Sequence, residues 1–167
     1  MGKHEVMAEI LPSGRGVWVP IDHGVTDFPC PGLEDIEATI NALIAGGANA
    51  IIGHKGVVDK YSHLCEGTAT KMIAHLSAST RHGGKNHSNK VLVGDVDEAI
   101  MRGAVGVSCQ VNIGSKKEST MLQRMGQITS EAYRNSVPVL GMLYVRGENV
   151  NLMKNDPTRG YAHAARI

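Results

Sequence analysis

Aromatic side chains are scarce in this 167-residue chain, which has one tryptophan, one phenylalanine and four tyrosines. So few flat rings make base-stacking platforms an unsuitable reading. A net charge of +1 gives no broad attraction for nucleic acid or an anionic membrane. Neither partner is expected. Cys30, Cys65 and Cys109 stand apart, with no ligand or disulfide spacing, which fits a reducing cytoplasm. The apolar runs fall far short of a membrane span, and Met1-Gly2-Lys3-His4-Glu5 lacks the apolar core of a signal peptide. No Gly-x-Gly-x-x-Gly follows the first apolar run and there is no Walker loop, so a nucleotide cofactor is disfavoured.

What is present alternates. Val17–Ile21 is an apolar run of the kind that suits a strand covered on both faces. It ends in Asp22-His23-Gly24, read either as an acid delivered to a site at a strand's carboxyl end or simply as a turn. Residues 1–15 read as an irregular lead-in. A helix is expected from about Leu33 to Ala45, with Ile36, Ile40, Leu43 and Ile44 on one face and Gly46-Gly47 stopping it. Further strands are expected at 50–53, 71–76, 105–111 and 139–143, with helices at about 95–103 and 118–135 between them. Residues 57–70 read as a short helix and loop, and 81–90 as a polar loop. Val91–Val93 suits either a short strand or a helix entry.

Strand–helix alternation argues for a parallel α/β fold. Asp22, Lys55, Ser77, Asn112, Tyr144 and Arg146 all fall at strand exits. Polar residues gathered at one rim suit a (β/α)₈ TIM barrel, but a complete barrel needs about 250 residues. The expectation is a single domain over 1–167 that represents about the first five βα units of an incomplete barrel. Its two sheet edges would be open, so the span alone is expected to aggregate or pair with another copy. His82 and His87 share a loop, yet no third ligand stands at fixed spacing, and no metal is expected.

The segments VPIDHGV, GGANAIIGHKGVV, HLSAST, VNIGS, MLYVRG and NDPTRGYAHAAR, in this order, resemble the DhnA-type class I aldolase family. The family includes archaeal-type fructose-bisphosphate aldolases and heptulosonate synthases of aromatic amino-acid biosynthesis. VNIGS and Met142 resemble the synthase branch more closely. Two departures stand out. Tyr144-Val145-Arg146 replaces the family's Tyr-Pro-Arg, and His75-Leu76-Ser77-Ala78-Ser79-Thr80 replaces HLSGGT.

The resemblance implies a TIM barrel and Schiff-base chemistry without a cofactor. The substrate would be a phosphorylated sugar, with L-aspartate semialdehyde as acceptor in the synthase branch. The full-length protein would be a cytoplasmic homo-oligomer. Asp22 matches the family's general base and Tyr144 its proton donor. Asp22, His23, Gly24, Val25, Thr26, Tyr144, Val145 and Arg146 match substrate-contacting segments. Lys55 would be an auxiliary charge that lowers a neighbouring amine's pKa, or would simply pair with Asp22. The family's Schiff-base lysine and phosphate site lie beyond the position matching Ile167, so residues 1–167 are expected to be inactive alone. A fructose-bisphosphate aldolase and a non-catalytic barrel fragment are the alternatives.

Overall fold

A computed structural model describes residues 2–28, 30–86, 88–156 and 158–167, with the side chains of 84–86, 152 and 153 left out of that description. The first fold-defining strand, β1 (Trp18–Pro20), follows helix α1 (Lys3–Ile10) and leads into a short helix α2 (His23–Thr26). Helix α3 (Ile36–Ala45), β2 (Ala50–His54), α4 (Lys55–Tyr61) and β3 (Lys71–His75) come next. A two-stranded hairpin, β4 (Ser77–Ala78) with β5 (Val91–Leu92), precedes α5 (Val96–Met101) and β6 (Gly106–Ile113). Helix α6 (Glu118–Arg134), β7 (Val139–Val145) and α7 (Tyr161–Ala164) complete the chain.

Five strands form one parallel sheet in the order β1-β2-β3-β6-β7, while β4 and β5 pair antiparallel beside it. The sheet is curled, the opening arc of an aldolase-type barrel, with β1 and β7 at its edges. Helix α3 starts where Asp35 accepts the Ala38 amide at 3.0 Å, so this acid is a cap rather than a first-turn residue. Helix α6 buries Met121, Met125, Ile128 and Ala132, spaced to share one face. These side chains pack on the outer sheet face with Ile51, Met72, Val107, Cys109 and Val111. Burial of each large one stabilises the fold by roughly 1.5–3 kcal/mol.

The inner face has a second, smaller core. Residues 3–10 are helical, not irregular: Val6 and Ile10 are buried against Ala50, Ile52 and Ile73, with Met7, Leu11 and Trp18 packed around them. Val6, Met7, Ile10 and Leu11 form an apolar stripe at helical spacing, the signal that identifies this helix. The Trp18 indole Nε1 donates to the Ile10 carbonyl at 2.6 Å and fixes the helix end against β1. Helix α1 thereby fills the amino-terminal floor of the arc. The opposite, carboxyl-terminal rim is left for chemistry.

Two strands run further than their apolar runs. β6 continues to Ile113 and β7 to Val145, so Asn112 and Tyr144 lie inside paired strands, facing each other across the ladder.

Candidate active site

Strand alternation decides which side chains meet. In β6, Val107, Cys109, Val111 and Ile113 join the outer core, and Ser108, Gln110 and Asn112 point the other way. The same alternation sends Leu143 and Val145 outward and Met142 and Tyr144 inward. In register, His54, His75 and Ser108 stand side by side across β2, β3 and β6. Above the apolar floor the inner face is therefore a polar band.

Hydrogen bonds join this band into a network. His75 is 1% exposed; its Nδ1 meets the Ser108 hydroxyl at 2.7 Å, and its Nε2 lies 3.3 Å from Ser77 Oγ and 3.6 Å from Asp22 Oδ2. Burial pushes the His75 imidazole down to about 4, against the pull of Asp22. At neutral pH the Asp22 contact is thus a neutral ring beside a carboxylate, not an ion pair. A carboxylate can only accept, so the favourable tautomer places the proton on Nε2 and has Nδ1 accept from Ser108. His54 Nδ1 donates to the His75 carbonyl at 3.1 Å, and burial lowers its pKa as well.

The Gln110 amide donates to Ser77 Oγ at 2.9 Å, and its side chain donates to Asn112 Oδ1 at 2.7 Å. Arg146 Nε donates to that same oxygen at 2.9 Å, and its guanidinium sits 4.6 Å over the Tyr144 ring. Asn112 Nδ2 donates to the Ser88 carbonyl at 2.6 Å, which ties the band to the segment before β5. The guanidinium is thereby held between an amide oxygen and an aromatic face.

Two chambers open on this rim. The inner one, about 150 Å³, is walled by Asp22, His23, Gln110, Met142 and Tyr144. The outer one, about 250 Å³, is walled by Ser79, Thr80, Arg81, Ser88 and Gly147. Thr26, Asp27, Lys90 and Arg146 line both. Lys90 is only 5% exposed, and its ammonium lies 3.4 Å from Thr26 Oγ1. Burial and then Arg146 lower its pKa, while Asp22 and Asp27 oppose the shift.

Of the residues predicted from sequence, Asp22, His23, Thr26, Tyr144 and Arg146 come together around the inner chamber. Gly24 and Val25 lie in α2 but line neither chamber, and Val25 is largely exposed. Val145 faces the outer core, since it alternates with Tyr144. Lys55 is not at the cavity and does not pair with Asp22. Its ammonium makes two 3.0 Å contacts with Glu98, which also holds Arg102 at 2.9 Å. The cation that faces Asp22 is Lys90, which sequence reading left in a polar loop. Gln110 was also missed, although the alternation Val107-Ser108-Cys109-Gln110-Val111-Asn112 marks it. Among the described residues no group of His, Cys, Asp or Glu could hold a metal. His82 is exposed, and His87 lies outside the described residues.

A sequence model of the DeoC/LacD family aldolases matches residues 16–167. The chain belongs to that family. It is 35% identical to a 2-amino-3,7-dideoxy-D-threo-hept-6-ulosonate synthase of Halobacterium salinarum, over 99% of this chain and 60% of the relative. It is 34% identical to a 2-amino-4,5-dihydroxy-6-oxo-7-(phosphonooxy)heptanoate synthase of Streptomyces griseus, over 89% of this chain and 53% of that protein. The chain thus spans about 60% of the length of the first of these and about half of the second. An archaeal fructose-1,6-bisphosphate aldolase, solved with its catalytic lysine bound to a carbinolamine intermediate, superposes with a TM-score of 0.77 at 20% identity. That superposition covers 97% of this chain and 64% of the other, and it shows the shared barrel fold. Among the described residues no helix is long and apolar enough to cross a membrane.

Proposed function

We propose that the protein is a class I aldolase of the heptulosonate synthase branch, which forms a carbon–carbon bond between a phosphorylated ketose-like donor and an amino-acid aldehyde. The observation that carries this reading is the meeting of Asp22 and Tyr144, from opposite edges of the sheet, on one chamber of a DeoC/LacD-family fold. The similarity to two heptanoate-type synthases at 34–35% identity supports the choice of branch.

On this reading a lysine from the part of the relatives' length that this chain does not span forms the Schiff base. The iminium serves as an electron sink. In a 4,5-dihydroxy-6-oxo product the C4–C5 bond is the aldol bond. In the cleavage direction Asp22 takes the C4 hydroxyl proton, the C4–C5 bond breaks, and its electron pair moves into the iminium to leave an enamine. The released fragment is a four-carbon 2-amino-4-oxo acid, which is L-aspartate semialdehyde. Bond formation is the reverse. Tyr144 supplies and recovers the proton at the carbinolamine oxygen. His75 holds the Asp22 carboxylate from below. Free thiols and a phosphorylated metabolite suit the cytoplasm, and the working form would be a homo-oligomer.

Borohydride should trap the intact gene product covalently on a ketose phosphate, and activity should persist in chelator. Loss of activity in chelator without an adduct would refute the reading. Faster turnover of fructose 1,6-bisphosphate than of 6-deoxy-5-ketofructose 1-phosphate plus aspartate semialdehyde would move the protein to the fructose-bisphosphate aldolase branch.

A further inference from the structure

The outer chamber holds charges that the chemistry above does not use. Arg81, Lys90 and Arg146 face one carboxylate, that of Asp27. Among the described residues none of the four is in an ion pair. Arg81 donates to the Phe28 carbonyl at 2.9 Å, and Arg146 is held by Asn112, so both guanidinium groups are fixed in place. Lys90 as a residue is 5% exposed, and holding its charge so far out of water is costly unless an anion answers it. The inner chamber is different: Lys90 and Arg146 there stand against Asp22 and Asp27, two against two.

We propose that the outer chamber is an α-amino-acid head-group site, in which Lys90 and Arg146 take the α-carboxylate and Asp27 takes the α-ammonium of the aldehyde substrate. The inference rests on the aldolase reading for the identity of the aldehyde, and on the chamber's own charges for the head group. Four residues line both chambers, so a ligand bound by its head in the outer one extends its chain into the inner one. There its carbonyl meets Asp22 and Tyr144. A four-carbon amino-acid aldehyde has this layout, with charge at one end and the reacting carbon at the other. Asp27 decides against a phosphate ester. A dianion here would face a carboxylate of like sign, whereas a zwitterion places its ammonium there. Specificity then comes from answering buried Lys90 and exposed Asp27 together, since a ligand without the ammonium leaves Asp27 unanswered.

The test is calorimetric titration of the intact protein with L-homoserine, the unreactive alcohol counterpart of aspartate semialdehyde. 4-Hydroxybutanoate, which lacks the ammonium, and glycerol 3-phosphate serve as comparison probes. Lys90→Met should weaken L-homoserine binding about 10- to 100-fold, the usual effect of removing a charged hydrogen bond. Asp27→Asn should weaken L-homoserine and spare 4-hydroxybutanoate, and as an exposed position it tests the site even if Lys90→Met fails to fold. Unchanged L-homoserine affinity in Asp27→Asn would overturn the head-group assignment. So would glycerol 3-phosphate binding more tightly than L-homoserine and depending on Lys90. The titration involves no Schiff base, so a missing borohydride adduct would sink the aldolase reading while Lys90-dependent L-homoserine binding still upheld the site.

Discussion

His75 should make the fold acid-sensitive well above the usual carboxylate range. Its ring sits near 4 in the folded protein against an ordinary 6.5, because burial excludes the charged form. In the unfolded chain the same ring takes its proton as pH falls through about 6.5; in the folded chain it resists until about 4. The unfolded state therefore binds more protons throughout that window. The stability linked to the neutral ring is complete above pH 6.5 and is lost as pH falls toward 4. At about 1.4 kcal/mol per pH unit the full loss is about 3 kcal/mol, a large share of an ordinary domain's 5–15 kcal/mol. His54, also lowered by burial, acts in the same direction. The assay is urea unfolding of the intact protein at intervals from pH 7.5 to 4.5. His75→Asn should start less stable, because Ser108 loses its 2.7 Å partner, yet its stability should fall less steeply over that range. A variant that keeps the full wild-type slope would refute the assignment of the titration to this ring.

Two further outcomes follow from the packing. Ile10→Ala, at a fully buried position under the inner face, should cost about 2–5 kcal/mol in urea unfolding; a loss below 1 kcal/mol would mean that α1 does not form the floor. Residues 1–167 expressed alone should associate through the open edges of β1 and β7, as read by light scattering, and a monomer with cooperative unfolding would contradict this.

Much of the fold is legible in local pattern because the elements that carry it obey simple periods. α3 and α6 show helical apolar faces, and β2 and β3 are short apolar runs with residues of one sheet on both sides. The elements that were misread fail for specific physical reasons. Helix α1 is stabilised by an apolar floor it meets only in the tertiary structure, so its stripe looked like a lead-in. Asn112 at the end of β6 and the last residues of β7 fell outside the expected strands, and Ser108 and Gln110 lay inside one without being read as facing a site, although a strand facing a polar band must alternate polar and apolar residues. The placement of Lys90 is the hardest to read. It depends on β4 pairing with β5, which joins residues 77–78 to 91–92 across a polar loop, and no local period encodes that pairing. Lys55 was plausible by position, but Glu98 lies 43 residues away in sequence and claims it.

The same alternation accounts for the departure at Val145, where the related family carries proline. Tyr144 faces the chamber, so Val145 must face the outer core, and its side chain cannot narrow the site. Nor does its amide hold the sheet together. The bond from β7 to Ile113 is donated by Arg146, at 2.9 Å, and in a parallel ladder alternate residues donate to the same neighbour. The Val145 amide therefore points toward the open edge, where a proline is tolerated. Proline and valine serve equally at this position, because neither the ladder to β6 nor the chamber uses what distinguishes them. Arg146 is positioned instead by its own ladder bond, by Asn112 Oδ1 and by the Tyr144 ring. Beyond it, Gly147 has a φ of 149°, and a Cβ there would strike the Gly114 and Ser115 backbone. The turn that carries the guanidinium over the chamber is thus set by a glycine and a ladder bond, which leaves the residue before Arg146 free to vary.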